Sequence, residues 1–275
     1  MHAFRAADHA DLPRAAALSA RIGWNQNARD WRVFLDQGAV RALDDGDAGC
    51  LAATAAVLPF GPRLAWISMV LVRPDRRREG LATALMQWAS GTLAATPCIA
   101  LDATPAGREV YRRLGFADCF GFARWSLPAA LPGEAGLALR PLRPADWPTV
   151  LALDEAAFGA SRAALLRDLA ARMPEAAFVT ADGRGFVLAR EGLRAPQIGP
   201  VVAPDAGSAI ALITAARAAL AAPAVLDLAD AASEVAAFLA RHGGVMLRPF
   251  TRMARGHPPI AKAQQNFVFA GPEFG

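Results

Sequence analysis

VLVRPDRRREGLATAL, residues 70–85, is the stretch on which the fold turns. The apolar run AWISMVLV (65–72) reads as a buried central strand and empties into a loop holding Arg76, Arg77 and Arg78. Gly80, Leu81, Ala82 and Thr83 then open a helix expected over 81–95. The first turn of a helix leaves about four backbone N–H groups unpaired and carries a partial positive charge. Small residues at 80 and 82 let an anion approach the backbone, and forked guanidinium groups add charge. Elementary chemistry therefore points to a pyrophosphate-type anion site, with an ordinary basic loop as the alternative. Neither common nucleotide motif is present. A P-loop requires Gly-Lys-Ser/Thr, and Lys262 is the only lysine of the chain. No Gly-x-Gly-x-x-Gly follows a first strand either.

Working outward, CIALDA (98–103) reads as another buried strand. TPAGREVYRRLGF (104–116) is a helix that Pro105 opens and Gly115 closes, and ADCFGFARWSL (117–127) is a strand or strand pair. Upstream, helix 28–38 precedes strands 39–45 and 50–60, joined by the turn GDAG (46–49). Strand–helix–strand–helix order with apolar strands predicts helices packed on a mixed sheet, an α/β (α+β) class. WSLPAALPGEAGLALRPLRPADWP (125–148) lacks any sustained period and reads as a linker. On either side stand two similar segments, FRAADHADLPRAAALSARIGW (4–24) and LRPLRPADWPTVLALDEAAFG (139–159). Each reads as a short strand, an acidic N-cap (Asp8 or Asp146), an early Pro and an apolar helix. A spacing near 135 residues implies two related domains: 1–128, a linker at 129–138, and 139–275. The second half reads as helix 160–174, strands 176–182, 185–191 and 197–204, helix 208–222, strand 224–229, helix 232–244 and strand 245–254. The tail with Phe267, Phe269 and Phe274 is expected to dock on a domain.

Composition bounds the function. With 275 residues, 54% hydrophobic and 20% charged, the chain is globular, not disordered. A net charge of +4 is thin and scattered, and suits a small anionic ligand as readily as nucleic acid. The three cysteines form no disulfide framework, and the four histidines form no metal pair, so no metal is expected. No apolar run reaches 18 residues and the N-terminus shows no signal peptide, which predicts a soluble, cytoplasmic protein with no membrane partner.

Arg77-Arg78-Glu79-Gly80-Leu81-Ala82 resembles the Arg/Gln-x-x-Gly-x-Gly/Ala signature of the GNAT superfamily of acyl-CoA N-acyltransferases. About 30 residues on, Tyr111-Arg112-Arg113-Leu114-Gly115-Phe116 resembles that family's Tyr-x-x-Leu-Gly-Phe helix end. The likeness covers most of residues 1–127, and 139–275 is similar to a second, divergent GNAT domain of tandem bacterial members. The resemblance implies two tandem domains, each a mixed, mostly antiparallel sheet flanked by helices. It implies acetyl-CoA as co-substrate and no metal. The backbone of Val70, Leu71 and Val72 would pair with the pantetheine arm. The Arg78–Thr83 backbone (Arg78, Glu79, Gly80, Leu81, Ala82, Thr83) would hold the pyrophosphate, with side-chain charge from Arg77 and Arg78. Tyr111, the chain's only tyrosine, matches the residue that protonates the departing thiolate; a packing tyrosine is the alternative.

Other positions stay open at this level. No glutamate precedes the loop; Ser68 is a poor base, Asp102 is either a base or structural, and a water chain or an amine arriving neutral would also serve. Trp24 and Asn25, with Asn27, fall where the resemblance places acceptor contacts, or are loop punctuation. In the second half, Asp205-Ala206-Gly207-Ser208-Ala209 replaces the arginine loop with a carboxylate, which predicts lost cofactor binding. Arg162, Asp154 and Glu155 are expected as solvated helix surface. The expected function is acetyl transfer to the amine of a small molecule, with a non-catalytic acyl-CoA-binding or regulatory module as the alternative. Nucleic acid is not an expected partner, and the oligomeric state is open between monomer and homodimer.

Overall fold

The structure is a computed structural model and describes residues 3–44, 46–47, 49–132, 137–258 and 261–275. Parts of the expected turn at 46–49 and linker at 129–138 fall outside the described residues. The chain divides into two compact units, Met1–Leu101 with Gly192–Arg194, and Asp102–Glu191 with Ala195–Gly275.

The first unit runs β1 (Phe4–Ala6), α1 (Leu12–Ile22), α2 (Ala28–Gln37), β2 (Ala39–Leu43), β3 (Ala53–Phe60), β4 (Leu64–Val72), α3 (Leu81–Thr92) and β5 (Cys98–Ala103), whose last two residues belong to the second unit. Strand order is β1-β2-β3-β4-β5, antiparallel except for β4 with β5. Local chemistry sets the helix ends. Pro lies in the first turn of α1, and Gly23 ends it at φ +81°, a left-handed conformation that glycine adopts without penalty. Asn27 caps α2 by accepting from the N–H groups of Arg29 and Asp30 at 2.9 and 3.1 Å. Leu81 and Leu85 of α3 pack on Leu43, Ala53 and Ala55 of the sheet, so hydrophobic burial fixes where that helix begins.

The second unit holds α4 (Pro105–Arg113), β6 (Ala117–Ser126), β7 (Leu139–Pro141), α5 (Trp147–Phe158), α6 (Ala163–Arg172), β8 (Phe178–Thr180), β9 (Phe186–Arg190), β10 (Gln197–Val202), α7 (Ala206–Ala218), β11 (Val225–Ala229), α8 (Ser233–Arg241), β12 (Val245–Gly256) and β13 (Asn266–Phe269). Its strands run β12-β6-β11-β13-β10-β9-β8-β7. The compact units and the two sequence halves are therefore different partitions of the chain. β6, from the N-terminal half, lies between β12 and β11 of the C-terminal half. Phe122 pairs with Phe250 at the middle of β6 and β12, their rings stacked 5.1 Å apart. Two buried ion pairs flank this centre. Arg252 of β12 donates to Asp102 at 2.9 and 2.9 Å, and Arg124 of β6 donates to Asp227 at 2.9 and 2.7 Å. Each half thus supplies the arginine that neutralises a buried aspartate of the other.

The internal repeat is real but aligns differently from its sequence reading. Arg5 grips Asp11 through two bonds of 2.7 Å, and Arg140 grips Asp146 at 2.6 and 2.7 Å. Asp11, not Asp8, is the counterpart of Asp146. Asp8 instead accepts from the Ala10 N–H and occupies the place of Arg143. The proline at either helix start disguised the offset, since any of several nearby aspartates fits a capping pattern.

Candidate active site

In the first unit β4 and β5 are paired only at Leu64↔Cys98, Ala65↔Ile99 and Trp66↔Ala100. β4 then continues to Val72 with its β5-facing edge unpaired by any strand of the described residues. On its other side the register against β3 shifts: Ser68 stands opposite Ala56 and Leu71 opposite Thr54. That extra residue is a β-bulge, with Met69 at φ +52°, and a bulge takes backbone groups out of the ladder. The Thr54 hydroxyl donates to the Met69 carbonyl at 2.9 Å, which holds the bulge. Ser68 is buried, and its hydroxyl has no hydrogen-bond partner among the described residues. A buried orphan hydroxyl is what a ligand or water normally satisfies. The cleft therefore offers an extended backbone edge and unspent polar groups.

The loop after β4 sorts its arginines. Arg73 is buried and bound to Asp75 at 2.7 and 2.8 Å. Arg76 forks onto Glu79 at 2.9 and 2.9 Å. Arg77 and Arg78 are exposed and bind no carboxylate among the described residues. Arg78 adopts φ +67° and Gly80 φ +77°, which turns the chain sharply into α3. A methyl group at Gly80 would meet nothing within 4 Å, and no side chain caps the helix. Open space, uncapped N–H groups and two uncommitted guanidinium groups fit a phosphate-bearing ligand on this chain's own residues. Val70, Leu71, Val72 and Arg77 through Thr83 thus lie in one unit, on one strand-loop-helix segment.

Tyr111 lies on α4 of the second unit. Its ring packs against Gly107, where an added Cβ would stand 3.0 Å from it, and edge-on to Phe116 at 6.3 Å. Burial pushes its phenol up to about 12, so the group stays protonated through the physiological range. Asp102 is committed to Arg252, and burial raises its carboxyl against the pull of that arginine. Carboxylates of the first unit are similarly engaged: Asp44 with Arg5 and Arg14, Asp75 with Arg73. Those bonds hold both below the usual carboxylate range, which makes them weak bases.

On the acceptor side expected from sequence, Trp24 is half-buried. Asn25 is buried and binds the 192–194 segment of its own unit. Its side-chain oxygen accepts from Arg194 N at 2.9 Å and its carbonyl from Leu193 N at 2.6 Å. Gln26, which the sequence reading passed over, is buried with Oε1 unpartnered among the described residues. A Gln in a polar Trp-Asn-Gln-Asn run gives no sign that it alone is left unsatisfied.

Two expectations for the second half change. Arg162 and Asp154 are not solvated surface; they form a bidentate pair at 2.8 and 2.9 Å with both side chains at most 1% exposed. Glu155 is exposed, as expected. Asp205 does not merely repel an anion at the start of α7. Its carboxylate accepts from Ser208 N at 2.8 Å and so occupies one of the N–H groups an anion would need. That bond also keeps its carboxyl low. Among the described residues, no group of three or more His, Cys, Asp or Glu is placed to hold a metal. No helix there is long and apolar enough to cross a membrane.

Residues 9–116 match the model of the acetyltransferase (GNAT) family, and residues 150–269 match that of an acetyltransferase (GNAT) domain. The chain is 25% identical over 217 residues to YitH of Bacillus subtilis, an N-acetyltransferase itself uncharacterised, covering 77% of this chain and 76% of that one. A Pyrococcus horikoshii protein provisionally described as an acetyltransferase superposes with a TM-score of 0.81 at 18% identity, over 99% and 95% of the two chains. A tandem GNAT protein from the clavulanic acid biosynthesis pathway superposes with a TM-score of 0.62 at 16% identity, over 92% and 98%.

Proposed function

Because the chain belongs to the GNAT acetyltransferase family, as two such domains in tandem, we propose that it is an acetyl-CoA-dependent N-acetyltransferase. Its working cleft is that of β4 and α3, and the acceptor is the primary amine of a small molecule. One observation carries this reading: the unpaired edge of β4 runs straight into an uncapped helix with Arg77 and Arg78 uncommitted. Acetyl-CoA supplies the thioester. The Val70–Val72 backbone lines the pantetheine arm, and the Val70 N–H, next to the bulge at Met69, donates to the carbonyl oxygen as charge develops there. The α3 N-terminus from Arg78 to Thr83 and the two arginines take the pyrophosphate.

With Asp44, Asp75 and Asp102 all on arginines, the acceptor amine attacks as the free base, held by proximity. Gln26 is the acceptor-side residue we favour, because its buried oxygen is available to an amine N–H. Tyr111 has its role from the resemblance. A phenol near 12 lies well above a thiol, about 8.5, so it steadies the departing thiolate by hydrogen-bond donation rather than by full proton transfer. Free cysteines at 50, 98 and 119 and a nucleotide-linked co-substrate suit the cytoplasm. No nucleic-acid or membrane partner enters the reading.

Calorimetric titration of acetyl-CoA tests it. Wild type is expected to bind near one site per chain, and an Arg77→Ala, Arg78→Ala double variant at least tenfold more weakly. An absence of binding to wild type overturns the reading. A second reading, an acyl-CoA-binding module without turnover, is favoured by the engagement of Asp44, Asp75 and Asp102 with arginines. That module predicts the same titration with no acetylated product from any amine.

A further inference from the structure

The second unit repeats the cleft and fills it. β10 and β11 start as parallel neighbours, Gln197↔Val225 and Ile198↔Leu226, then separate as β4 and β5 do. β13 enters the opening antiparallel to both. Val268 stands opposite Val201 on one side and Leu228 on the other, Asn266 opposite Val202, and Phe269 opposite Asp227. One strand of this chain thereby closes both open edges.

The remainder of the segment is seated by side chains. Gly199 makes room: a Cβ there would lie 2.2 Å from the Phe269 carbonyl. Beyond it the Glu273 carboxylate meets the guanidinium of Arg190, both fully buried. Arg190 and Gln197 are linked at 3.1 Å, and Arg190 lies 5.3 Å from the ring of Phe274. Arg162, held by Asp154, donates to the carbonyls of Phe274 and Gly275. Buried guanidinium groups are tolerated only when paired; the acid that pairs with Arg190 comes from this segment, as do carbonyls that Arg162 reaches beyond its own partner Asp154. Backbone pairing plus side-chain seats is how an extended peptide is recognised.

The same cleft is unsuited to an acyl-CoA. Its bulge, three residues from Ile198 to Val201 against two on β9, places Pro200 where the first unit has Val70. Proline has no N–H to offer a carbonyl. Asp205 caps α7 in place of a phosphate.

We infer that the cleft of the second domain is a peptide-binding site, specific for an extended segment with an apolar pair and a buried acid. Its resident ligand is the chain's own Asn266–Gly275. This inference does not depend on what the first cleft binds.

Lys262 makes a direct test possible. It is the only lysine and is exposed, so a lysine-specific endoprotease severs the segment after the protein has folded. The cut segment is expected to remain with the body through gel filtration at micromolar concentration. A labelled synthetic peptide of residues 263–275 should exchange with it at one per chain, a Glu273→Gln peptide should bind at least tenfold more weakly, and millimolar acetyl-CoA should not release it. Loss of the segment on gel filtration, equal binding by the Glu273→Gln peptide, or release by acetyl-CoA overturns the inference. Should the protease fail to cut, amide hydrogen exchange of the intact chain decides. Residues 266–275 are expected to be protected to the same degree with and without acetyl-CoA. Fast exchange, or a change on adding it, overturns the inference.

Discussion

β4 with β5 and β10 with β11 begin alike: a short parallel pairing, a bulge with a positive φ, and a helix after the first strand. They end oppositely. The first opening keeps an orphan hydroxyl at Ser68 and an uncapped helix, whereas the second has a strand in its ladder and a carboxylate on its helix. The difference shows that in a duplicated fold ligand capacity resides in very few atoms. A proline nitrogen in place of an N–H and Asp205 at the helix start remove the anion-binding features, while Gly199, Arg190 and Arg162 supply the seat that β13 and its tail occupy.

The largest effect is expected where the filled cleft depends on buried charge. Asp154→Ala leaves Arg162 unpaired in the interior, and breaking a buried pair costs about 3–5 kcal/mol. Denaturant unfolding should show that loss in the transition of the second unit, while acetyl-CoA affinity changes less than twofold. A stability change under 1 kcal/mol would mean that Arg162 finds water, and that the cleft is less tightly sealed than the geometry implies.

Importing the second cleft's proline into the first sharpens the comparison. Val70→Pro removes the N–H assigned to the developing oxyanion. Losing one such donor costs on the order of 10²–10³ in kcat, about 2.7–4 kcal/mol. Steady-state acetylation should show that fall, with acetyl-CoA affinity within a few-fold of wild type and the melting temperature measured alongside. An unchanged kcat would detach catalysis from the bulge.

Tyr111→Phe comes next. A hydrogen bond to a charged group is worth about 1.5–3 kcal/mol, so kcat should fall about 10- to 100-fold with cofactor binding intact. Since the phenol is pushed up to about 12, kcat/KM of wild type should rise with pH as the amine loses its proton. It should show no descending limb below about pH 10. A falling limb near pH 8 would mean that the phenol is not held where burial puts it.

How much of this was legible beforehand follows from where each signal is stored. β5 was read with its observed limits, Cys98–Ala103, because a bounded apolar run records itself locally. The arginine loop was legible for the same reason, yet not its division of labour; Arg73 and Arg76 are spent on Asp75 and Glu79 of the same loop, and a run of alternating charges does not say which arginine takes which acid. The bulge gave no sign, since Met69 carries none of the glycine signature of a positive φ. The exchange of β6 and β12 was hidden because an apolar strand does not specify its neighbour. β13 was expected to dock, but Phe-Val-Phe fits any apolar seat. What makes it a strand is the gap between β10 and β11.

The smallest predicted effect concerns the device that the two halves share. Hydrogen bonds from Arg140 hold the Asp146 carboxyl at about 2, below its ordinary 3.8, and Asp11 is lowered in the same way by Arg5. A folded-state pKa below the unfolded one contributes stability above the unfolded value and loses it as pH falls through the folded one. For Asp146 that window is about pH 4 down to about pH 2. Arg140 is one-third exposed, so solvent screening limits the pair to about 1 kcal/mol at most. Asp146→Asn should therefore lower stability by about that amount at pH 7 and by almost nothing at pH 2. Asp11→Asn should lose stability with the same sign and pH dependence, because the bidentate geometry recurs. Parallel acid titrations of the two variants, followed by denaturant midpoint, would measure both. If only one of them is pH-sensitive, the repeat has kept its geometry in both halves and its energetics in one.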